Sequence, residues 1–244
     1  MSIVLDLIEA EKESDEILSV EELRIEYRRI INSGELDFDR LLFLGRAFEE
    51  FDLVEEALHC YSRIIGLDGG QVEALSRRGN VTFGLFVARD VDGNERELVR
   101  WAVSDFEKAV QFSGNDPAYI RMLALGLLML GNYDRSRKLC ESTLGDMSDA
   151  LGGGTVWDLL YVLGYSQFFL GFTDSALLTF RRLAEGPGVS EEGWFGQAVC
   201  LWKLGLGVEV AAARKNLSEP LNDRLSALLE TGMENYLTVA RALL

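Results

Sequence analysis

Small residues recur along this sequence at intervals of 34 residues or somewhat more. They occupy five positions separated by 34, 45, 40 and 34 residues: Gly45, Gly79, Ala124, Gly164 and Ala198. A bulky apolar residue stands four positions before each of them. A period near 34 is long enough for two helices, and small residues allow two helices to cross closely. The spacing therefore predicts an array of helix pairs in which each pair packs on the next.

Further landmarks follow the first small residue at fixed distances in three of the copies. A turn residue comes seven positions later, a second small residue five after that, and a bulky residue four further on. The three sets are Asp52, Ala57 and Tyr61; Gly131, Ser136 and Cys140; and Gly171, Ala176 and Phe180. Two looser copies carry Ala102 with Phe106, and Val210. We expect the second small residue to face the first and the bulky residue to fill the space beside them.

This pattern resembles that of the tetratricopeptide repeat (TPR) family, over roughly residues 38–218. The resemblance implies an all-α fold, a right-handed superhelical array of antiparallel helix pairs of the TPR-like α-solenoid type. It also implies that the first helix of each pair lines a concave groove.

The organisation predicted from the repeat has three parts. Residues 1–37 are N-terminal helices and a degenerate repeat, because Ser19 and Glu22 form a capping-box signature there. Residues 38–221 hold five helix pairs, with insertions near 89–96 and 145–154 that account for the two longer spacings. Residues 222–244 form a capping helix, which repeat arrays need to cover their last exposed face.

The chain is strongly acidic, with 40 acidic and 24 basic residues and a formal net charge of −16. Such a surface repels phosphate backbones, so nucleic acid is excluded as a partner. Residues 1–56 carry 17 of the acidic and 6 of the basic residues. This excess is either a solvated face that maintains solubility or a docking surface for a basic partner.

Cysteine usage and hydropathy predict a cytoplasmic protein without a membrane span. The sequence has three cysteines, which is an odd number, and they are far apart and lie in apolar helical patterns: Cys60, Cys140 and Cys200. These features are typical of reduced core residues. The N-terminus has no basic leader or cleavage site, and the longest apolar run, 122–130, is far shorter than a membrane span.

The family resemblance also implies candidate groove residues. Carried over position by position, they form a polar, partly basic half and an aromatic half: Arg46, Arg77, Asn80, Arg121, Tyr161, Tyr165, Phe168, Phe195 and Trp202. The family's clamp for a C-terminal carboxylate is not expected, because Leu42 stands where it needs a lysine and Arg46 where it needs an asparagine.

Three interpretations of the aromatic half stay open. Tyr161, Tyr165 and Phe168 follow a spacing of i, i+4 and i+7, which places them on one helix face. Such a stripe is core, a pocket for an apolar partner peptide, for which tyrosine and tryptophan are good anchors, or a contact surface of a homodimer.

The sequence offers few residues that could serve in catalysis or metal binding. The one histidine, His59, is predicted to be a surface residue, which leaves no histidine pair for a triad or a metal site. We therefore expect no enzyme, no cofactor and no metal, but an adaptor that binds a partner protein or peptide in its groove. The alternative is a structural protein that self-associates, as a homodimer through its repeats or terminal helix, with the groove filled internally.

Overall fold

The computed structural model describes residues 19–33, 37–88, 95–146, 153–186 and 191–233. Within these ranges all regular secondary structure is helical. The helices are α1 Val20–Ser33, α2 Phe38–Glu50, α3 Val54–Leu67, α4 Val72–Ala88, α5 Glu95–Phe112, α6 Pro117–Met129, α7 Tyr133–Asp146, α8 Gly153–Phe169, α9 Thr173–Ala184, α10 Glu191–Lys203, α11 Gly207–Arg214 and α12 Glu219–Thr231. The predicted all-α fold is confirmed.

The chain divides into two compact units, the first ending at Ser113 and the second beginning at Gly114. In the first unit α2 pairs with α3 and α4 with α5, while α3 packs on α4 and α1 on α2. In the second, α6 pairs with α7, α8 with α9 and α10 with α11. The first helices of these three pairs also contact one another in the order α6, α8, α10, and α12 contacts α10.

In the first, second and fourth pairs the first small residue lies directly under an aromatic ring of the second helix. A β-carbon at Gly79 would lie 2.7 Å from Cε1 of Phe106, and one at Gly164 would lie 2.7 Å from Cε1 of Phe180. No side chain fits in that space, so the two helices approach closely only because the residue is glycine. The ring then covers the crossing and is fully buried, as Phe106 and Phe180 are.

In the third pair a hydrogen bond, not an aromatic ring, joins the two helices where they cross. Ser136 donates a hydrogen bond of 2.8 Å to the carbonyl of Ala124, which links the two small positions directly. Ser166 in the next pair donates one of 3.1 Å to Ser136. Both serines are fully buried, and these bonds satisfy hydroxyls that would otherwise be costly in the core.

The turn has one conformation in each of the four pairs whose turn the structure describes. Its central residue has a positive φ: 57° at Asp52, 82° at Gly131, 87° at Gly171 and 76° at Gly205. The amide of each such residue donates to the carbonyl three residues earlier, and the next amide donates to the carbonyl five residues earlier. This is the Schellman arrangement, which satisfies the last carbonyls of a helix before the chain reverses.

The starts of α1, α2 and α6 follow the expected capping chemistry. The backbone amide of Ser19 donates to Glu22 at 2.9 Å and the amide of Glu22 faces the Ser19 hydroxyl at 3.4 Å, which is the predicted capping box. Asp37 accepts from the amide of Arg40, and Asp116 from that of Ala118. The predictions for residues 1–18, for most of the insertions (89–94 and 147–152) and for 234–244 lie outside the described residues.

Candidate functional site

The candidate residues of the first unit lie on α2 and α4 and form an ion-pair network. Arg46 binds Glu73, and the Nε of Arg77 is 3.2 Å from the same carboxylate. Nη1 of Arg77 also lies 3.4 Å from Oε1 of Glu49, which accepts a hydrogen bond from the Tyr61 hydroxyl. Two guanidinium groups are therefore balanced by two carboxylates, so the predicted basic character of this half is neutralised locally.

Ionisation within this network follows from burial and charge. Burial raises the pKa of the Glu73 carboxyl, but the hydrogen bonds from Arg46 and Arg77 outweigh it and hold that pKa below its usual value. Burial raises the pKa of the Tyr61 hydroxyl far above its usual value, and the hydrogen bond to Glu49 adds to this. Asn80, one turn beyond Arg77, is exposed.

A cavity of about 500 Å³ opens in the second unit, and we call it the groove pocket. This volume lies in the range of roughly 300–1,000 Å³ that small ligands and anchoring side chains occupy. Its walls come from α6, α8, α9, α10 and α12, and its lining residues are Arg121, Met122, Leu125, Trp157, Asp158, Tyr161, Val162, Leu183, Glu192 and Leu221. Two predicted site residues, Arg121 and Tyr161, are therefore brought together here.

An ion pair and two aromatic side chains shape this pocket. Nη1 of Arg121 lies 2.6 Å from Oδ2 of Asp158, which bridges α6 and α8. The ring of Tyr161 packs edge-on against that of Tyr165, with centroids 5.0 Å apart, and is itself half-buried. Trp157 lies one helical turn before Tyr161, and its ring packs so closely on Gly186 that a β-carbon there would be 2.9 Å away. The aromatic walls are thus held by contacts behind them.

Three of the predicted groove residues belong to the core instead. Tyr165 and Phe195 are fully buried and Phe168 is 2% exposed. The ring of Tyr165 lies 4.8 Å from that of Phe180, and burial raises the pKa of its hydroxyl well above the usual value. Of the interpretations left open for the aromatic stripe, core packing therefore describes Tyr165 and Phe168, because α8 is covered by helices on more than one side.

Trp202 lies apart from the groove pocket. It is 43% exposed, near the C-terminal end of α10. Glu192 lines the pocket from the first turn of the same helix, ten residues earlier, which is about 15 Å along the axis at 1.5 Å per residue. The structure therefore does not join Trp202 to the surface formed by Arg121 and Tyr161.

Several lining residues were not predicted. Trp157 could have been found, because it stands four residues before Tyr161 and extends the same stripe to i−4. Asp158 follows it directly and faces Arg121 only because α6 and α8 are neighbours. Leu183, Glu192 and Leu221 come from three other helices, and no local pattern marks them.

Comparison with solved structures identifies the fold. A MamA double mutant aligns with a TM-score of 0.60 and 12% identity, covering 78% of this chain and 94% of that one. YrrB, described as a TPR protein with an unusual peptide-binding site, aligns at 0.58 and 16%, covering 89% and 97%. The fold of this chain is the tetratricopeptide repeat fold. A tetratricopeptide repeat protein from Parabacteroides merdae ATCC 43184 aligns at 0.55 with 18% identity, covering 86% of this chain and 77% of that one.

Comparison at the level of sequence, by contrast, finds no match. No family model matches this chain, and no curated protein matches it.

Membrane-spanning helices and metal-ion clusters are absent from the described parts of the chain. None of their helices has the length and apolar character that crossing a membrane requires. The same residues contain no group of three or more histidine, cysteine or acidic side chains arranged to hold a metal ion. Cys60, Cys140 and Cys200 are free and buried, and burial raises the pKa of each thiol to about 12.

Proposed function

We propose that this protein is an interaction scaffold that binds a segment of a partner protein in the groove pocket. The observation that carries the proposal is the cavity of about 500 Å³ on the side where α6, α8 and α10 lie next to one another. Most of its lining is apolar or aromatic, with a few polar groups, as in sites that anchor a ligand side chain. The peptide-binding site named for YrrB supports the same use of the fold.

The contact residues in this proposal are those that line the pocket with part of their surface free. Leu125 and Tyr161 are half-buried, and Arg121 has 38% of its side chain exposed. Arg46, Arg77 and Asn80 remain proposed contacts in the first unit, where a partner would meet the ion-pair network. We expect binding rather than catalysis, in a reducing cytoplasmic setting that suits three free thiols.

The test is affinity capture from a lysate of the source organism with the wild type and two variants. The first variant carries Leu125→Asp and Tyr161→Asp, which places charge on two walls of the pocket. The second variant carries Trp202→Asp, in the same unit but outside the pocket, and tests the exposed end of α10 as the alternative site. Circular dichroism first establishes that both variants are folded.

We expect a protein that the wild type and the Trp202 variant retain and the pocket variant loses. Equal capture by all three proteins would show that the pocket does not bind the partner. Loss with the Trp202 variant alone would move the site to the far end of α10.

Self-association is a second candidate function, favoured by a different surface. Four large apolar residues within seven positions are exposed at the end of α10 and the start of α11, to 43% at Trp202, 38% at Leu204, 40% at Leu206 and 83% at Val208. Such a cluster is unusual on a monomer's surface and is suited to a contact between two copies. Sedimentation equilibrium would reveal a dimer, and Val208→Asp should dissociate it, whereas a monomer at all concentrations would exclude this function.

A further inference from the structure

Negative charges outnumber positive charges among the residues that line the groove pocket. Asp158 and Glu192 are carboxylates and Arg121 is the one guanidinium among the lining residues. Because Arg121 is held at 2.6 Å by Asp158, an anionic ligand would have to compete with that carboxylate for the guanidinium. It would also lie beside two like charges, which is unfavourable. The pocket therefore disfavours an acidic group.

A cationic group would be repelled by Arg121 and attracted by the two carboxylates, and it can share them with their present partners instead of displacing one. The side chain of Asp158 is half exposed, and a carboxylate accepts hydrogen bonds from more than one donor, so the pair with Arg121 need not break. Glu192 is exposed in the first turn of α10. Trp157 and Tyr161 supply aromatic rings, whose faces attract guanidinium and ammonium ions. Beside them Leu125 offers apolar surface for a neighbouring side chain.

We propose that the groove pocket takes a basic partner segment, in which an arginine or lysine stands next to a large apolar side chain. The inference rests on the proposed function and specifies its partner. The cation lies between the carboxylates of Asp158 and Glu192 and the aromatic rings, and the apolar side chain fills the space beside Leu125. The net charge of −16 also steers a basic segment toward the protein before contact is made.

The experiment uses the full chain and a display library of random 12-residue peptides. Selected sequences are then synthesised, and their binding is measured by fluorescence anisotropy. We expect enrichment of arginine or lysine next to tryptophan, phenylalanine or leucine. Replacing the basic residue of a selected peptide by methionine should weaken its binding tenfold or more, and rising NaCl concentration should weaken binding of the parent peptide.

Protein variants locate the effect. Glu192→Gln and Asp158→Asn should each weaken the basic peptide several-fold and leave its methionine version nearly unaffected. Asp158→Asn keeps an oxygen that can accept from Arg121, so the wall of the pocket is retained. Glu209→Gln removes a charge from an exposed position of α11 and should change neither peptide's affinity.

The two levels of the proposal fail in different ways. Selected peptides that are acidic or indifferent to charge, yet lose binding to the Leu125→Asp, Tyr161→Asp variant, would overturn the basic partner and retain the pocket. Selected peptides that bind this variant as well as the wild type would overturn both. Failure to select any peptide that depends on the pocket would have the same meaning.

Discussion

Gly45 lies against the ring of Tyr61 so closely that a β-carbon at residue 45 would be 2.6 Å from Tyr61 Cε1. The same relation joins Gly79 to Phe106 and Gly164 to Phe180, so three of the helix pairs share it. Since the tyrosine ring is fully buried, it cannot move aside freely.

We therefore expect Gly45→Ala to lower the free energy of unfolding by about 1–3 kcal/mol through overpacking. The matched control is Gly84→Ala in α4 of the same unit, where a β-carbon would meet nothing within 4 Å. That change should be neutral or stabilising by up to about 1 kcal/mol, because alanine favours the helix. Urea titration followed by circular dichroism measures both. Equal effects of the two substitutions would contradict the close crossing.

Replacing the turn residue Asp52 with glycine should stabilise the protein. Its φ of 57° is left-handed, and the equivalent residues Gly131, Gly171 and Gly205 reach this region without a β-carbon. We expect Asp52→Gly to raise the free energy of unfolding by about 0.5 kcal/mol, since the relief of strain exceeds the added chain entropy only slightly. The reverse change, Gly171→Ala, should lower it by about 1 kcal/mol or more. Thermal unfolding of the two variants tests the pair, and a destabilised Asp52→Gly protein would show that the aspartate is needed at the turn.

Two ion pairs of the first unit should contribute differently to the free energy of unfolding. Arg78 binds Asp105 through two bonds of 2.7 and 2.8 Å, and the aspartate side chain is 7% exposed. Asp105→Asn should lower the free energy of unfolding by about 2–3 kcal/mol, because it leaves a partly buried guanidinium without its counter-charge. The Glu73 side chain is 44% exposed, and Glu73→Gln should cost less than about 1 kcal/mol. Comparable losses in urea titrations would contradict this ranking.

The buried thiols make the protein sensitive to high pH. Each has a pKa near 12 in the folded state, raised by burial from an ordinary value of 9.0. Above pH 9 the unfolded chain releases these protons and the folded chain retains them, so stability falls as pH rises. The slope is at most about 1.4 kcal/mol per thiol and pH unit. Urea midpoints at pH 8 and pH 10 should therefore differ, and they should differ less in a variant with all three cysteines changed to alanine. An equal drop in that variant would assign the effect to other groups.

The fold was predictable because its strongest constraint is local and repeated. Gly45, Ala124 and Ala198 are each buried at the crossing of a helix pair, and the spacing alone located them. The turn residues were found by the same spacing. These features depend on contacts between helices that are adjacent in sequence, so the amino-acid sequence alone is enough to predict them.

The candidate site was predictable only in part, because burial depends on neighbours that periodicity does not reveal. The stripe of Tyr161 and Tyr165 looked uniform in sequence, yet the first lines the pocket and the second is enclosed. Helix α8 is apolar on nearly all sides, so it offers no amphipathic signal that separates a free face from a covered one. Glu192 and Leu221 reach the pocket through packing of α10 and α12, which no motif records.

Helix α11 has eight residues and buries only Val210 and Ala213 among its side chains. So little buried surface gives this end of the chain a low free energy of local opening, and its amides should exchange with solvent sooner than those of α8 or α9. Arg214 at the end of α11 holds Asn222 and Ser226 of α12, and α12 places Leu221 in the wall of the pocket. A partner that fills the pocket would therefore hold α12, and through it α11, in place. Binding in the pocket would therefore be thermodynamically coupled to the local folding of α11 and α12.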